Sequence, residues 1–230
     1  MSALHGIAAA IPALDAEATI GEVVRRTREI VPHVLVVDDG SRDGTAREAE
    51  SAGAILVRHA RNFGKGRALR TAFAELFAAG FEQVVTLDAD GQHLPEEIPR
   101  LIDAGRGGAH LVVGCRERLF GRMHPVRRIG NRWSTRAISF AAGRPLADAQ
   151  SGFRLYTQGL VERTGFPEAR FEAESAVLVR AARSGLDIRW VPIRLGFVDG
   201  RCTSHYRPVR DSLRIAEAVV RARFHAGIAG

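Results

Sequence analysis

The chain has few of the features that mark secreted, membrane-spanning or disulfide-stabilised proteins. No stretch reaches the roughly 18 apolar residues of a membrane span, and no basic segment followed by an apolar one opens the chain. The only cysteines, Cys115 and Cys202, are isolated, which excludes a disulfide framework and a cysteine-rich zinc site. We therefore expect a cytoplasmic protein without a transmembrane segment.

Aromatic residues and lysine are also scarce. Aromatic residues make up 7% of the chain and no basic stretch is interleaved with stacking rings, which argues against a nucleic-acid partner. Lys65 is the only lysine, so the net charge of +7 comes almost entirely from arginine. This surplus favours an anionic partner, either nucleotide phosphates or an anionic membrane surface.

The acidic triplet Asp88-Ala89-Asp90 directly follows the apolar run of residues 83–87. A buried strand of this composition delivers the residues after it to the rim of a sheet. Two carboxylates so close together repel each other unless a cation lies between them, and Mg²⁺ or Mn²⁺ commonly holds nucleotide phosphates through one or two carboxylates. The triplet therefore predicts a divalent-metal site for a nucleotide diphosphate, with a solvated acidic turn as the alternative.

The first half of the chain alternates predicted strands and helices. The strands are expected at residues 6–11, 33–37, 54–57, 83–87 and 109–115. This alternation is typical of an α/β fold with a mostly parallel sheet flanked by helices, and such sheets bind ligands beyond the carboxyl ends of their strands. Asp15, Asp39, residues 62–65 and residues 88–92 all fall on that edge.

The second half is less regular. We expect a mobile basic loop at 116–132 and helices at 133–142 and 171–184. Residues 151–156 are expected to form a turn that leads into a strand, and residues 187–195 a further strand. A polar loop at 196–206 then precedes a final helix from Pro208 to Phe224. No repeat or linker divides the chain, so residues 1–230 are expected to form a single domain.

Four motifs together resemble one enzyme family. They are residues 36–45 (VVDDGSRDGT), 62–66 (NFGKG), 87–93 (LDADGQH) and Asp148 with 151–156 (SGFRLY). In this order they are similar to family 2 glycosyltransferases of the GT-A fold, and the last motif resembles the dolichyl- and polyprenyl-phosphate sugar synthase branch. The resemblance covers about residues 5–210. It implies a nucleotide-sugar-binding half (5–115), an acceptor-binding half (116–210) and a C-terminal amphipathic helix (208–224).

The resemblance also implies how a nucleotide-sugar donor is held. Donor contacts are expected at Pro12, Asp15, Asp39, Lys65, Asp88, Ala89, Asp90, His205 and Arg207. Mg²⁺ or Mn²⁺ is expected on Asp88, Asp90 and Gln92. Asp39 should meet the nucleoside, and Lys65, flanked by two glycines, should meet the phosphates. Asp15 stands where many members have asparagine, which leaves the first loop's contacts open.

The nature of the acceptor decides which other residues take part in catalysis. A lipid phosphate is already anionic and needs cations to hold it, a role that the resemblance gives to Arg116 and Arg128. A hydroxyl acceptor needs a carboxylate base, for which Asp148 is the first candidate and a turn cap its alternative role. Glu174 is a second candidate base or an ion-pair partner of Arg154.

We therefore expect a metal-dependent, inverting glycosyltransferase that uses a UDP- or GDP-sugar. Its preferred acceptor is a polyprenyl phosphate or another membrane-associated lipid. The basic last helix is compatible with peripheral attachment to the inner face of the membrane, with a core-packed helix that exposes a basic face as the alternative. A sugar-1-phosphate nucleotidyltransferase would need a glycine-rich loop after the first strand, and a dinucleotide oxidoreductase a third glycine where Leu69 stands. A non-catalytic nucleotide-binding module stays open.

Overall fold

The computed structural model describes residues 6–115, 125–196 and 208–224, with backbone alone for 125–133 and 208–213. The strands are β1 (Ile7–Ala13), β2 (Val34–Asp38), β3 (Ile55–Arg58), β4 (Gln83–Thr86), β5 (Leu111–Cys115), β6 (Arg154–Thr157) and β7 (Ile188–Pro192). The α-helices are α1 (Ile20–Arg28), α2 (Thr45–Ser51), α3 (Lys65–Ala78), α4 (Ile98–Gly105), α5 (Pro125–Ala142), α6 (Gln158–Thr164), α7 (Glu172–Arg183) and α8 (Pro208–Phe224). A short 3-10 helix, Pro95–Glu97, precedes α4.

The strands form one seven-stranded sheet in the order β3-β2-β1-β4-β6-β5-β7. All neighbouring pairs are parallel except the two that β6 makes with β4 and β5. The central strands are continuous apolar runs buried on both faces, as parallel strands covered by helices usually are. The expected α/β fold with a mostly parallel sheet is confirmed. Because β6 joins strands of the first half, both expected halves share this sheet.

Helices cover both faces of the sheet. Alternate residues of β1 point to opposite faces, so Ala8 and Ala10 pack with α3, α5, α7 and α8, whereas Ala9 and Ile11 pack with α1, α2 and α4. Both layers are closely packed and apolar. The polar residues that follow the strands are therefore left at the rim of the sheet.

Several boundaries differ from those predicted. The expected basic loop at 116–132 is wrong from Pro125 onward, because α5 begins there with proline in its first turn, where no backbone N–H is needed. Residues 116–124 and most of the 196–206 loop lie outside the described residues. Helix α6 was not predicted; Thr157 begins it by accepting a hydrogen bond from the backbone N–H of Leu160. The final helix, α8, has the predicted bounds.

None of the helices among the described residues combines the length and the hydropathy needed to cross a bilayer.

Candidate active site at the carboxyl edge of the sheet

The loops that follow β1, β2 and β4 meet at one edge, as the strand pattern predicted. Asp15 joins the first two loops: its backbone N–H donates to Ser41 Oγ at 2.9 Å, and its Oδ1 accepts from the Arg42 N–H at 2.9 Å. Thr19 Oγ1 donates to the carbonyl of Ala89 at 2.6 Å, which ties the start of α1 to the acidic triplet. Pro12 lies near the end of β1, where it pairs with Val37 of the neighbouring strand β2.

Asp15 has a left-handed backbone conformation, with φ of 48°. Asparagine and aspartate adopt this conformation more readily than other residues with a Cβ atom. The aspartate at position 15 is therefore compatible with this backbone conformation. Its contact with a donor stays a prediction.

The Asp39 carboxylate organises the loop before α3. Its Oδ1 lies 2.7 Å from His59 Nδ1 and accepts from the Phe63 N–H at 3.0 Å, and its Oδ2 accepts from the Gly64 N–H at 2.7 Å. Only 4% of the residue is exposed. The structure thus gives Asp39 a role in positioning this loop, and its expected contact with a nucleoside stays a prediction.

Lys65 is the first residue of α3, not part of a loop as predicted. Its flanking glycines make room for protein backbone: a Cβ at Gly64 would lie 2.5 Å from the carbonyl oxygen of Ala169, and one at Gly66 equally close to that of Glu168. The glycines therefore fit the segment before α7 against α3. The contact of Lys65 with the donor phosphates stays a prediction.

The ammonium group of Lys65 links two carboxylates. Lys65 Nζ lies 2.6 Å from Asp88 Oδ1 and 3.0 Å from Glu174 Oε2. Burial by itself would lower the lysine pKa, but the charges of Asp88 and Glu174 outweigh it and raise the pKa above its ordinary value. Lys65 is therefore a fixed cation beside the acidic triplet. Glu174 does partner Arg154, but through its backbone carbonyl, whereas its carboxylate pairs with Lys65.

The ionisation of Asp90 is disfavoured by its surroundings. Burial, followed by the charge of Asp88, raises the pKa of Asp90, and its Oδ1 accepts from the Gln92 N–H at 2.9 Å. Two carboxylates that oppose each other's ionisation fit a divalent cation. Among the residues that the structure describes, no three His, Cys, Asp or Glu side chains converge as a metal cage. A cation held here would thus complete its shell with the Gln92 amide, water or phosphate oxygens.

Arg154 supports the site in a way that the sequence analysis did not predict. It is fully buried and donates to three backbone carbonyls: Ser151 at 2.7 Å, Ala149 at 3.0 Å and Glu174 at 2.7 Å. These bonds fix the turn that carries Gly152 against the triplet. An arginine within an otherwise apolar predicted strand was the available signal, since a buried guanidinium must find several acceptors.

Asp148, at the start of this turn, is 1% exposed and its Oδ1 accepts from the Gln150 N–H at 3.1 Å. This geometry matches the turn-capping alternative, and the role of Asp148 as a base stays a prediction. Arg116, His205 and Arg207 lie outside the described residues. Arg128 lies in α5, where only the backbone is described. Gly196 is the last described residue before the segment that contains His205. Its N–H donates to the Gln92 carbonyl at 2.9 Å, so Gly196 lies close to the acidic triplet.

The absence of a side chain at Gly152 is expected to be essential for the site. A Cβ there would lie 2.6 Å from Lys65 Nζ and 3.1 Å from both carboxylate oxygens of Asp88. Gly152→Ala should displace these groups and lower kcat/KM for glycosyl transfer by roughly 10- to 100-fold. Gly159→Ala is the matched control, because a Cβ there meets nothing within 4 Å. Equal activity of both variants would contradict this role of Gly152.

Comparison with known proteins identifies the family. Residues 9–165 match the model of glycosyl transferase family 2. The chain is 31% identical over 198 residues to the polyprenol monophosphomannose synthase of Mycolicibacterium smegmatis, covering 81% of this chain and 72% of the relative. It is 32% identical over 196 residues to the undecaprenyl-phosphate mannosyltransferase of Micrococcus luteus, covering 80% of each.

Solved structures agree on the fold. A crystal structure of glucosyl-3-phosphoglycerate synthase from Mycobacterium tuberculosis superposes with a TM-score of 0.73 at 25% identity, covering 97% of this chain and 83% of that one. The same enzyme in complex with Mn²⁺, UDP and phosphoglyceric acid gives 0.74 at 22% identity, covering 96% and 80%. Given the extent of the family match and this shared architecture, the chain belongs to glycosyl transferase family 2 and is a glycosyltransferase with the GT-A fold.

Proposed function

We propose that this glycosyltransferase moves a sugar from a nucleotide-diphosphate sugar to a lipid phosphate, with a divalent cation and with inversion at the anomeric carbon. The observation that carries the donor half is the arrangement at the end of β4. There the charge of Asp88 opposes the ionisation of Asp90, and Lys65 Nζ lies 2.6 Å from Asp88 Oδ1. This is a set of groups for a cation and a diphosphate, at the strand edge where such folds bind nucleotides.

Asp88, Asp90 and the Gln92 side chain would hold Mg²⁺ or Mn²⁺. When bound, the cation offsets the negative charge that grows on the departing nucleotide diphosphate. The protein's own part is to keep both carboxylates in place before the donor arrives. Lys65 holds the Asp88 carboxylate through an ion pair. The absence of a side chain at Gly152 leaves space for the Lys65 ammonium group and the Asp88 carboxylate. His205 and Arg207 are proposed to contact the diphosphate.

The contacts and burial of the two candidate bases, Glu174 and Asp148, favour an anionic acceptor over a hydroxyl acceptor. A base must reach the proton of an acceptor hydroxyl. Glu174 is held by Lys65 at 3.0 Å, and Asp148 is 1% exposed and capped onto its own turn. A lipid phosphate needs no base, and the relatives named above act on polyprenol and undecaprenyl phosphate. Arg116 and Arg128 are proposed to hold that phosphate.

The donor is tested by thermal unfolding with a panel of UDP- and GDP-sugars, each with and without Mn²⁺. We expect one nucleotide series to raise the melting temperature, and to do so only with the metal. No stabilisation by any member of the panel would refute the donor assignment. The panel also decides between uridine and guanosine.

The acceptor is tested with polyprenyl phosphate, phosphoglyceric acid and a free sugar as alternative substrates for the same donor. Product from polyprenyl phosphate alone is expected. Phosphoglyceric acid is the informative competitor, because the M. tuberculosis enzyme was crystallised with it. Transfer to a free hydroxyl but not to the lipid phosphate would replace the proposed acceptor. The anomeric configuration of the product, read by NMR, tests inversion.

A further inference from the structure

A cavity lies away from the acidic triplet, between α8, α3 and the segment that joins α6 to α7. Its volume is about 710 Å³, within the roughly 300–1,000 Å³ typical of small-molecule pockets. Among the described residues that line it, none is an expected donor contact or metal ligand. The transfer reaction as proposed leaves this cavity unused.

One wall of the cavity is apolar. Phe166, Ala218 and Ala222 contribute to it and are buried. Ala218 and Ala222 are one turn apart on α8, so they present adjacent small side chains on one stripe of the helix. Larger residues on this stripe would occupy the space. The wall therefore suits a hydrocarbon group.

The remainder of the lining carries a net positive charge, because it contains five arginines and only three glutamates. Arg180 binds both oxygens of Glu168, at 2.6 and 2.8 Å, and Arg221 binds Glu217 at 2.6 Å. The side chain of Arg163 is exposed, and its guanidinium group forms no hydrogen bond or ion pair with the part of the chain that the structure describes. The guanidinium group of Arg163 is therefore a positive charge of the cavity lining that no described carboxylate neutralises.

Two residues that line the cavity each have a buried polar atom without a hydrogen-bond partner among the described residues. Arg180 is 7% exposed, yet its Nε has no acceptor among the described residues. Glu172 Oε2 is likewise buried without a donor among the described residues. Arg70 also lines the cavity, and its pKa is lowered by burial and then by the charge of the neighbouring Arg67. A bound anion would therefore stabilise the charged form of Arg70.

We propose that this cavity binds a phosphate ester of an aliphatic chain, with the phosphate on the arginines and the chain against Phe166, Ala218 and Ala222. Guanidinium groups bind phosphate oxygens through paired hydrogen bonds, and the arginine stems extend the apolar wall. Both a bilayer phospholipid and a polyprenyl phosphate have this chemistry. The proposal does not depend on the acceptor of the transfer reaction.

The site is tested by calorimetric titration with decyl phosphate below its micelle concentration, with inorganic phosphate and decanol as probes of each half alone. We expect decyl phosphate to bind at least 10-fold more tightly than either. Ala218→Leu should fill the cavity and abolish binding, whereas Val220→Leu, at an exposed position of the same helix, should not. Equal affinities for decyl phosphate and inorganic phosphate, or unchanged binding by Ala218→Leu, would overturn the proposal.

A milder variant covers the case in which Ala218→Leu does not fold. Arg163→Gln should weaken decyl phosphate binding about 10-fold, because a charge-assisted hydrogen bond is lost. Arg183→Gln, an exposed α7 arginine outside the cavity, should leave it unchanged. Indistinguishable affinities of these two variants would refute the role of the arginines.

Co-sedimentation separates the two sources of the ligand. Vesicles of phosphatidylglycerol test a bilayer lipid, and phosphatidylcholine vesicles containing polyprenyl phosphate test the isoprenoid. Binding to either that is lost in Ala218→Leu supports the site, and binding to neither refutes it. Nucleotide-sugar stabilisation with Mn²⁺ should be the same in Ala218→Leu as in the unmodified chain. Failure of the cavity proposal therefore leaves the donor assignment standing, and the reverse also holds.

Discussion

Replacing Asp90 by alanine is expected to abolish glycosyl transfer while leaving the chain folded. Burial and the charge of Asp88 raise the pKa of Asp90, so its ionised form costs stability at neutral pH. Removing it should therefore leave the melting temperature without metal unchanged or slightly higher. The stabilisation that Mn²⁺ gives together with the nucleotide sugar should disappear.

Activity is measured by transfer to polyprenyl phosphate, and stability by thermal unfolding with and without Mn²⁺. Asp103→Ala is the matched control, because Asp103 lies on α4 in an exposed ion pair with Arg106 and should tolerate the change. A loss of at least about 1,000-fold in kcat/KM is expected for Asp90→Ala. Retained transfer, or an unchanged response to Mn²⁺, would refute the metal assignment.

Replacing Arg154 by leucine is expected to have the largest effect on stability. The substitution removes a buried donor from three carbonyls and leaves those of Ala149 and Ser151 unpaired, whereas the Glu174 carbonyl keeps its partner within α7. Each of the two orphaned groups costs about 1–3 kcal/mol and the third bond is also lost, so the free energy of unfolding should fall by roughly 3 kcal/mol or more. For a chain of this size, that corresponds to a melting temperature lower by roughly 6–12 °C.

Arg154→Lys separates charge from geometry. An ammonium group keeps the charge but cannot reproduce the planar fork that reaches three carbonyls, so most of the loss in stability should remain. Arg183→Leu, at an exposed position of α7, controls for the loss of one arginine. Melting temperatures of Arg154→Leu and Arg183→Leu within about 1–2 °C of each other would contradict the proposed role.

Much of the fold was readable from local patterns. The apolar runs that became β1, β2, β4 and β5, and the helices between them, follow from the spacing of apolar residues and from turn residues. The antiparallel insertion of β6 was not readable, because pairing direction depends on where the chain returns to the sheet. The start of α5 was missed because the arginine-rich composition of 116–132 looked like a loop.

The sequence by itself determined the family, the order of its motifs and the delivery of Asp39 and Asp88 to one edge of the sheet. These follow from residues close together in the chain, where strand period and turn chemistry apply. Only the tertiary structure brought Lys65 to Glu174, placed Gly152 against Asp88, and gave Arg154 its three carbonyls. Those contacts join segments far apart along the chain. Their partners are decided by how helices pack on the sheet and by the need of each buried polar group for a partner.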